Sequence, residues 1–325
     1  MTMDLLGTAG MTVGMKQFYS RRLLMRAKPR WVHIQFGDKN GIPKGGGRSL
    51  EWRTYTRPTV AATPGTLTEG TPPSETQLTI ANVQATVVQY GAFTRHSELL
   101  SLQNFDPYIA QVTDVYGEHM ADTLDILARN ILVAGSTVQI ANTAASRGAV
   151  GGTTAHRLTY AEIREVVGTL ETQNALTFPE LDNKYAAIIH PHVKADIFRD
   201  SDIIASFQNA YPRGGENPMA SGQIGDFYGV RWFVTSNARI FGSEGASGAN
   251  GYASLFLGRQ AYGVVDYEAI GQRVIVKPVG SAGALDPLDQ MGTIGWKAAF
   301  AAVRLNENFM VRVETTASGS NKEGV

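Results

Sequence analysis

The chain has 325 residues, 43% of them hydrophobic, with 29 Lys/Arg balanced by 29 Asp/Glu. The length predicts two or more domains, and the neutral total gives no reason to expect nucleic acid or an acidic substrate as an obligatory partner. Cysteine is absent, which excludes disulfides, a thiolate nucleophile and Cys-held metals and fits a reducing cytoplasm.

The charge is unevenly placed. Residues 1–57 hold eleven Lys/Arg, among them Arg21, Arg22, Arg26 and Arg53, against Asp4, Asp38 and Glu51, a local balance of +8. Residues 96–128 hold no Lys or Arg but carry Glu98, Asp106, Asp114, Glu118, Asp122 and Asp125, a balance of −6. The basic residues near the start follow a weak, Gly-interrupted apolar stretch, the reverse of a secretory signal. No run approaches eighteen apolar residues, so no transmembrane helix and no membrane partner are expected.

Residues 1–45 read as an arm without a core of its own, ending in the Gly-rich GDKNGIPKGGGR, a hinge. SLEWRTYT (49–56) sets Leu50 and Trp52 against Glu51, Arg53 and Tyr55, and residues 77–93 are rich in β-branched side chains, so both predict strands. The Pro-rich segment between them predicts an irregular tip. A long two-stranded excursion of this kind is marginal in water and asks for a surface to lie on.

Asp106 as cap and Pro107 at the first helical position then introduce a helix carried by Ile109, Val112, Tyr116, Met120, Leu124, Leu127 and Ile131, stopping at Gly135. It predicts a strut on the order of 40 Å long. Its acidic residues lack internal cations to form i,i+4 pairs, so an external cationic partner would relieve their repulsion. The basic arm of another copy is one such partner.

Thr159 with Glu162 forms a capping-box pattern ahead of Ile163, Val166, Val167 and Leu170. KYAAIIH (184–190) predicts a buried strand, Pro191 starts a helix to about Arg199, and strands follow at 229–236, 252–258, 262–269 and 273–280. Ile294, Trp296, Ala298, Phe300 and Ala302 alternate, Asn306–Asn308 turn, and Phe309, Val311 and Val313 alternate back, which predicts a closing hairpin, with a helix over the Ala-rich 296–305 as the alternative.

His190 and His192 are the one metal-like pair, but a catalytic zinc needs three protein ligands and no HExxH spacing offers the third. The strand-to-helix junction at Pro191 sends the two side chains in different directions. A metal-dependent enzyme using them is therefore the weak alternative. GDKNGIPKGGGR lacks the phosphate-loop pattern and no GxSxG elbow occurs, so no catalytic residue and no cofactor are expected.

GTPPSETQLTIANVQATVVQYGAFTRHSELL (70–100), YAAIIHPHVKADI (185–197), LFLGRQAYGVVDYEA (255–269) and DPLDQMGTIGWKAAFAAVRLNENFMVRVET (286–315) resemble the major capsid proteins of tailed bacteriophages, most strongly the family named after the coliphage N-four. The resemblance implies an α+β fold of the Hong Kong type, with an N-terminal arm (1–45), an extended β loop (46–98), a peripheral domain with a long spine helix (99–155 with 271–316), an α/β axial domain (156–270) and a tail (317–325). It implies hexamers and pentamers that tile an icosahedral shell around double-stranded DNA, in a virion capsid assembled in the host cytoplasm. Portal, scaffolding and decoration proteins are the implied further partners. An encapsulin-like nanocompartment shell is the alternative on the same fold. The expected contacts between copies involve Arg21, Arg22, Arg26, Trp52 and Arg53 on the basic side and Asp114, Glu118, Asp122 and Asp125 on the acidic side.

Overall fold

The computed structural model describes residues 31–56, 69–71, 78–99, 108–142, 144–210, 224, 226–267, 271–281 and 286–319. The expected cap at Asp106 and Pro107 and the residues Arg21, Arg22 and Arg26 lie outside them.

Three sheets organise these residues. A two-stranded ladder pairs β2 (Ser49–Thr56) with β3 (Thr79–Thr86), Trp52 opposite Val83 and Tyr55 opposite Ile80. A five-stranded sheet has the order β1 (Asp38–Ile42), β10 (Tyr262–Tyr267), β12 (Met291–Arg304) and β11 (Arg273–Lys277), with β4 (Val88–Ser97) also on β12. A six-stranded sheet runs β5 (Val138–Ile140), β13 (Met310–Thr315), β9 (Gly251–Leu257), β6 (Tyr185–Ile189) and β7 (Val230–Val234), with β8 (Ile240–Phe241) against β9.

The six-stranded sheet is buried on both faces. Along β6, Ala187 and Ile189 point into a core shared with α2 (Tyr160–Thr172) and α3 (Pro191–Ile197), where Ile163, Val166, Leu170, Val193 and Ile197 are sealed from solvent. Ala186 and Ile188 point the other way, into a second core with α1 (Tyr108–Val133) and the five-stranded sheet. Alternate burial of a continuously apolar strand on both faces is what Tyr-Ala-Ala-Ile-Ile permits. The capping box forms: the Thr159 hydroxyl accepts from the Glu162 N–H, and Glu162 accepts from the Thr159 N–H. Glu162 also accepts from Asn142 N–H at 2.7 Å. A further helix, α4, spans Ser201–Ala210. Among the described residues, no helix is long and apolar enough to cross a membrane.

Helix α1 has 26 residues, about 39 Å at ~1.5 Å per residue. Its C-terminal half buries Leu124, Ala128 and Leu132 completely against both large sheets. Its N-terminal half is more open, with Ile109 and Val115 each 40% exposed. The strut is thus anchored at one end.

Three expectations are corrected. The Gly-rich stretch after Phe36 is not a free hinge: Asp38–Ile42 pairs in parallel with β10, and Val32, His33 and Ile42 are buried. Pairing here uses backbone groups that side-chain periodicity does not reveal. The closing hairpin does not form, and neither does the alternative helix over 296–305. β12 is a strand throughout, but it pairs with β4, β10 and β11, while β13 pairs with β9 and β5. Asn306, whose side chain accepts from the Asn308 N–H, turns the chain out of one sheet and into the other. β10 belongs to the five-stranded sheet, and β5 and β13 to the six-stranded one. Third, the His190 and His192 rings do not diverge. They stack at 4.9 Å with 18° between planes, because His190 Nδ1 turns back to accept from the His192 N–H as the cap of α3.

Candidate functional site

Two features of the fold bear on assembly: the place where the arm is held, and the ladder that leaves the body of the chain.

The arm enters the body at Trp31 and is fixed by two acidic residues of α1. Asp125 is fully buried, and its Oδ1 accepts from the N–H groups of Val32 (3.0 Å) and His33 (2.8 Å). Its Oδ2 lies 2.8 Å from His33 Nδ1. A carboxylate only accepts, so this ring nitrogen carries the proton. Asp122 Oδ1 accepts from the Trp31 indole at 2.6 Å and from the Asn237 amide at 3.1 Å. The Tyr262 hydroxyl donates to the His33 carbonyl oxygen from a wholly buried position, and burial pushes that hydroxyl's pKa well up. A buried carboxylate satisfied by several donors, the Asn237 amide among them, holds a chain segment far better than an exposed ion pair does.

The base of the ladder is also held within the chain. The Trp52 indole donates to Asp38 Oδ2 at 3.1 Å and lies on Gly263, where any Cβ would sit 2.5 Å from the ring. Leu50 and Trp52 pack against a small core of Ile42, Ala85, Val87, Val265 and Ala299. Beyond Trp52 the ladder leaves that core. Tyr55 is 68% exposed, Ile80 52%, and Leu78, just before β3, 65%. Large side chains at that exposure cannot stabilise an isolated two-stranded ladder.

The residues expected to meet other copies therefore divide. Trp52, Asp122 and Asp125 make the intrachain contacts just described. Arg53 is exposed and pairs with Glu51 at 3.2 Å, a surface pair worth little. Asp114 is exposed and Glu118 half-buried on the open half of α1. The relief expected for the acidic helix comes in part from donors of the same chain, namely two backbone N–H groups, the Trp31 indole, the Asn237 amide and the His33 ring. Sequence charge counting misses this, because Asp125 takes its partners from 92 and 93 residues away. The acidic run itself was the only local signal.

At the His190/His192 pair, both rings lie against Tyr252, 5.0 and 6.0 Å between centroids, and His190 Nδ1 is engaged as the cap. Among the described residues no three His, Asp or Glu side chains gather into a metal site. The last turn of the same helix is tied to the segment that follows β13: Asp196, nearly buried, accepts from the Ser318 N–H at 2.7 Å.

This plan of arm, strut helix, outgoing ladder and two sheets is the fold of phage capsid proteins. The chain aligns over 98% of its length with the capsid protein of cyanophage Pam1, covering 100% of that chain at a TM-score of 0.73 and 16% identity. The capsid structure of cyanophage P-SCSP1u aligns over 98% of this chain and 97% of its own, at 0.69 and 12%. For the capsid of Ralstonia phage GP4 the figures are 97%, 98%, 0.68 and 14%. No curated protein matches the chain in sequence. The family model described as phage capsid protein matches residues 81–313, most of the chain, and the chain belongs to that family. It is a structural major capsid protein, a component of a virion's capsid and not an enzyme.

Proposed function

We propose that the chain assembles as hexamers and pentamers into an icosahedral shell around double-stranded DNA, and that among phage capsid proteins it falls in the group named after the coliphage N-four. The single observation that carries the assembly reading is the ladder: it is long, apolar at Tyr55, Leu78 and Ile80, and rooted in the body at its base through Leu50, Trp52, Ala85 and Val87. Such a surface is stable only when covered, and in a shell a neighbouring copy covers it. Heterologous contacts of this kind close into rings, and many modest contacts add to a strong shell.

In this reading residues 1–45 are the arm, with Arg21, Arg22 and Arg26 meeting a neighbour, and 46–98 the extended loop, with Arg53 on its exposed part. Residues 99–155 with 271–316, which include the strut, form the peripheral domain, and residues 156–270, which include α2 and α3, the axial domain. Asp114, exposed on the open half of α1, is the acidic residue placed to meet another copy's basic arm, with Glu118 one turn further along. The shell assembles in the host cytoplasm, and portal, scaffolding and decoration proteins are its further partners. A nanocompartment on the same fold is not favoured, since the family is that of phage capsid proteins.

Cryo-electron microscopy of the purified full-length protein tests this. Hexameric and pentameric rings or uniform icosahedral particles are expected. A monomer at every salt and protein concentration tried would overturn it.

A further inference from the structure

The five-stranded sheet has two unlike faces. Toward α1 it presents Ile294, Trp296, Ala298 and Phe300, all buried. The opposite face follows from the register, because residues paired across an antiparallel ladder share a face. At the end where β4, β12 and β11 lie side by side, one row is Arg95–Thr293–Lys277. The next on that face is Phe93–Gly295–Ile275, and the third is Gly91–Lys297–Arg273. Two cationic rows thus bracket an apolar one.

The centre of this face is bare backbone by necessity. A Cβ on Gly295 would come within 2.6 Å of the Ala92 carbonyl oxygen, and one on Gly91 within 2.8 Å of that of Trp296. The missing side chains leave a hollow of ≈ 370 Å³ lined by Phe93, Ile275, Lys277, Thr293 and Lys297. Phe93 is 64% exposed, with the Arg95 guanidinium 5.8 Å from its ring. Among the described residues, no carboxylate pairs with Arg95, Arg273, Lys277 or Lys297.

We propose that this face docks an extended acidic segment of a different protein, carrying an apolar side chain two residues from an acidic residue on either side. The outer rows are four residues apart along β12, about 14 Å at ~3.4 Å per residue. In an extended peptide, positions i, i+2 and i+4 point to one side with the same spacing, so two carboxylates reach the two cationic rows while the side chain between them enters the hollow. The exposed Phe93 and the half-buried Ile275 give that side chain a desolvated seat, and the surrounding cations supply orientation and rate. Duplex DNA offers phosphates but nothing to fill an apolar centre. Another copy of this chain does not supply the pattern either: the acidic–apolar–acidic spacing occurs at 114–118, 118–122 and 196–200. Those residues lie in α1, in α3 and in the turn that ends α3, where i and i+2 do not share a face.

The test is fluorescence anisotropy with the full-length chain and three labelled probes: a peptide with Asp, Leu and Asp at alternate positions, one of the same composition with its two Asp adjacent, and a short DNA duplex. The alternating peptide is expected to bind about tenfold tighter than the rearranged one. Phe93→Ser, and Lys277→Ala with Lys297→Ala, should each weaken it by about tenfold, as loss of a central anchor or of its charge partners does. Circular dichroism of each variant confirms that the sheet is retained. Equal binding of the two peptides, no binding of either, or tighter binding of the duplex through the same cations would overturn the proposal.

Discussion

The six-stranded sheet and the two-stranded ladder are built from similar residues and solve opposite problems. Every residue of β6 and of β9 is buried, and both strands sit between two cores of the same chain. The ladder has the same β-branched and aromatic content, but only its base residues at Leu50, Trp52, Ala85 and Val87 reach a core. The difference teaches that β-propensity decides that a strand forms, while burial decides whether it is stable in one copy or only among several. The peripheral parts of this protein are held by the second route.

The comparison can be broken most sharply from the buried side. Phe256→Ala, near the end of β9 and fully buried, should cost about 3–5 kcal/mol, read as a fall in the urea midpoint of the unassembled chain. A next, smaller effect is expected at the arm anchor. Asp125→Ala leaves the Val32 and His33 N–H groups and the His33 ring without their acceptor, a loss of about 2–3 kcal/mol. It should also open the chain to trypsin after Arg30, whereas a resistant variant would show that the arm is held by something else.

Acid should act on the sheet before it acts on the ladder. Hydrogen bonds from Arg231 hold the Asp226 carboxyl below the usual range against the opposing effect of burial, and a further bond from Lys184 adds to them. Its folded pKa lies below the unfolded one, so the folded state binds fewer protons there. The stability it contributes is complete above about pH 3.9 and is lost as pH falls through the lower, folded value. The deficit of Asp226→Asn relative to the parent should accordingly be present at pH 7 and shrink in acid. An equal deficit at both pH values would assign the loss to packing. The smallest effect on the free chain is expected at the ladder. Tyr55→Ser with Ile80→Ser should change its stability by no more than about 0.5 kcal/mol, yet lower the yield of assembled particles.

Much of the six-stranded half was legible in the sequence. Tyr-Ala-Ala-Ile-Ile, the Thr159–Glu162 box and the periodic stripe of α1 each carry their structure locally. What was not legible depends on partners distant in the chain. Asp38–Ile42 is a strand because β10 offers it an edge, although its own residues read as a hinge. The alternation of β12 and β13 gave two strands but could not say that they enter different sheets. At the assembly site, the exposed ladder was readable as a surface in need of cover. The acidic residues were readable as a cluster, but the sequence did not single out Asp122 and Asp125 as the two that hold Trp31, Val32 and His33 of the chain's own arm.

The central claim is that the ladder's missing core comes from a neighbouring copy. Hydrogen exchange measured on the same protein before and after assembly tests it most directly. Amides of 49–56 and 79–86 should become strongly protected in particles, while those of β6 and β9 stay as slow as they were. Equal protection of the ladder in both states would contradict the account.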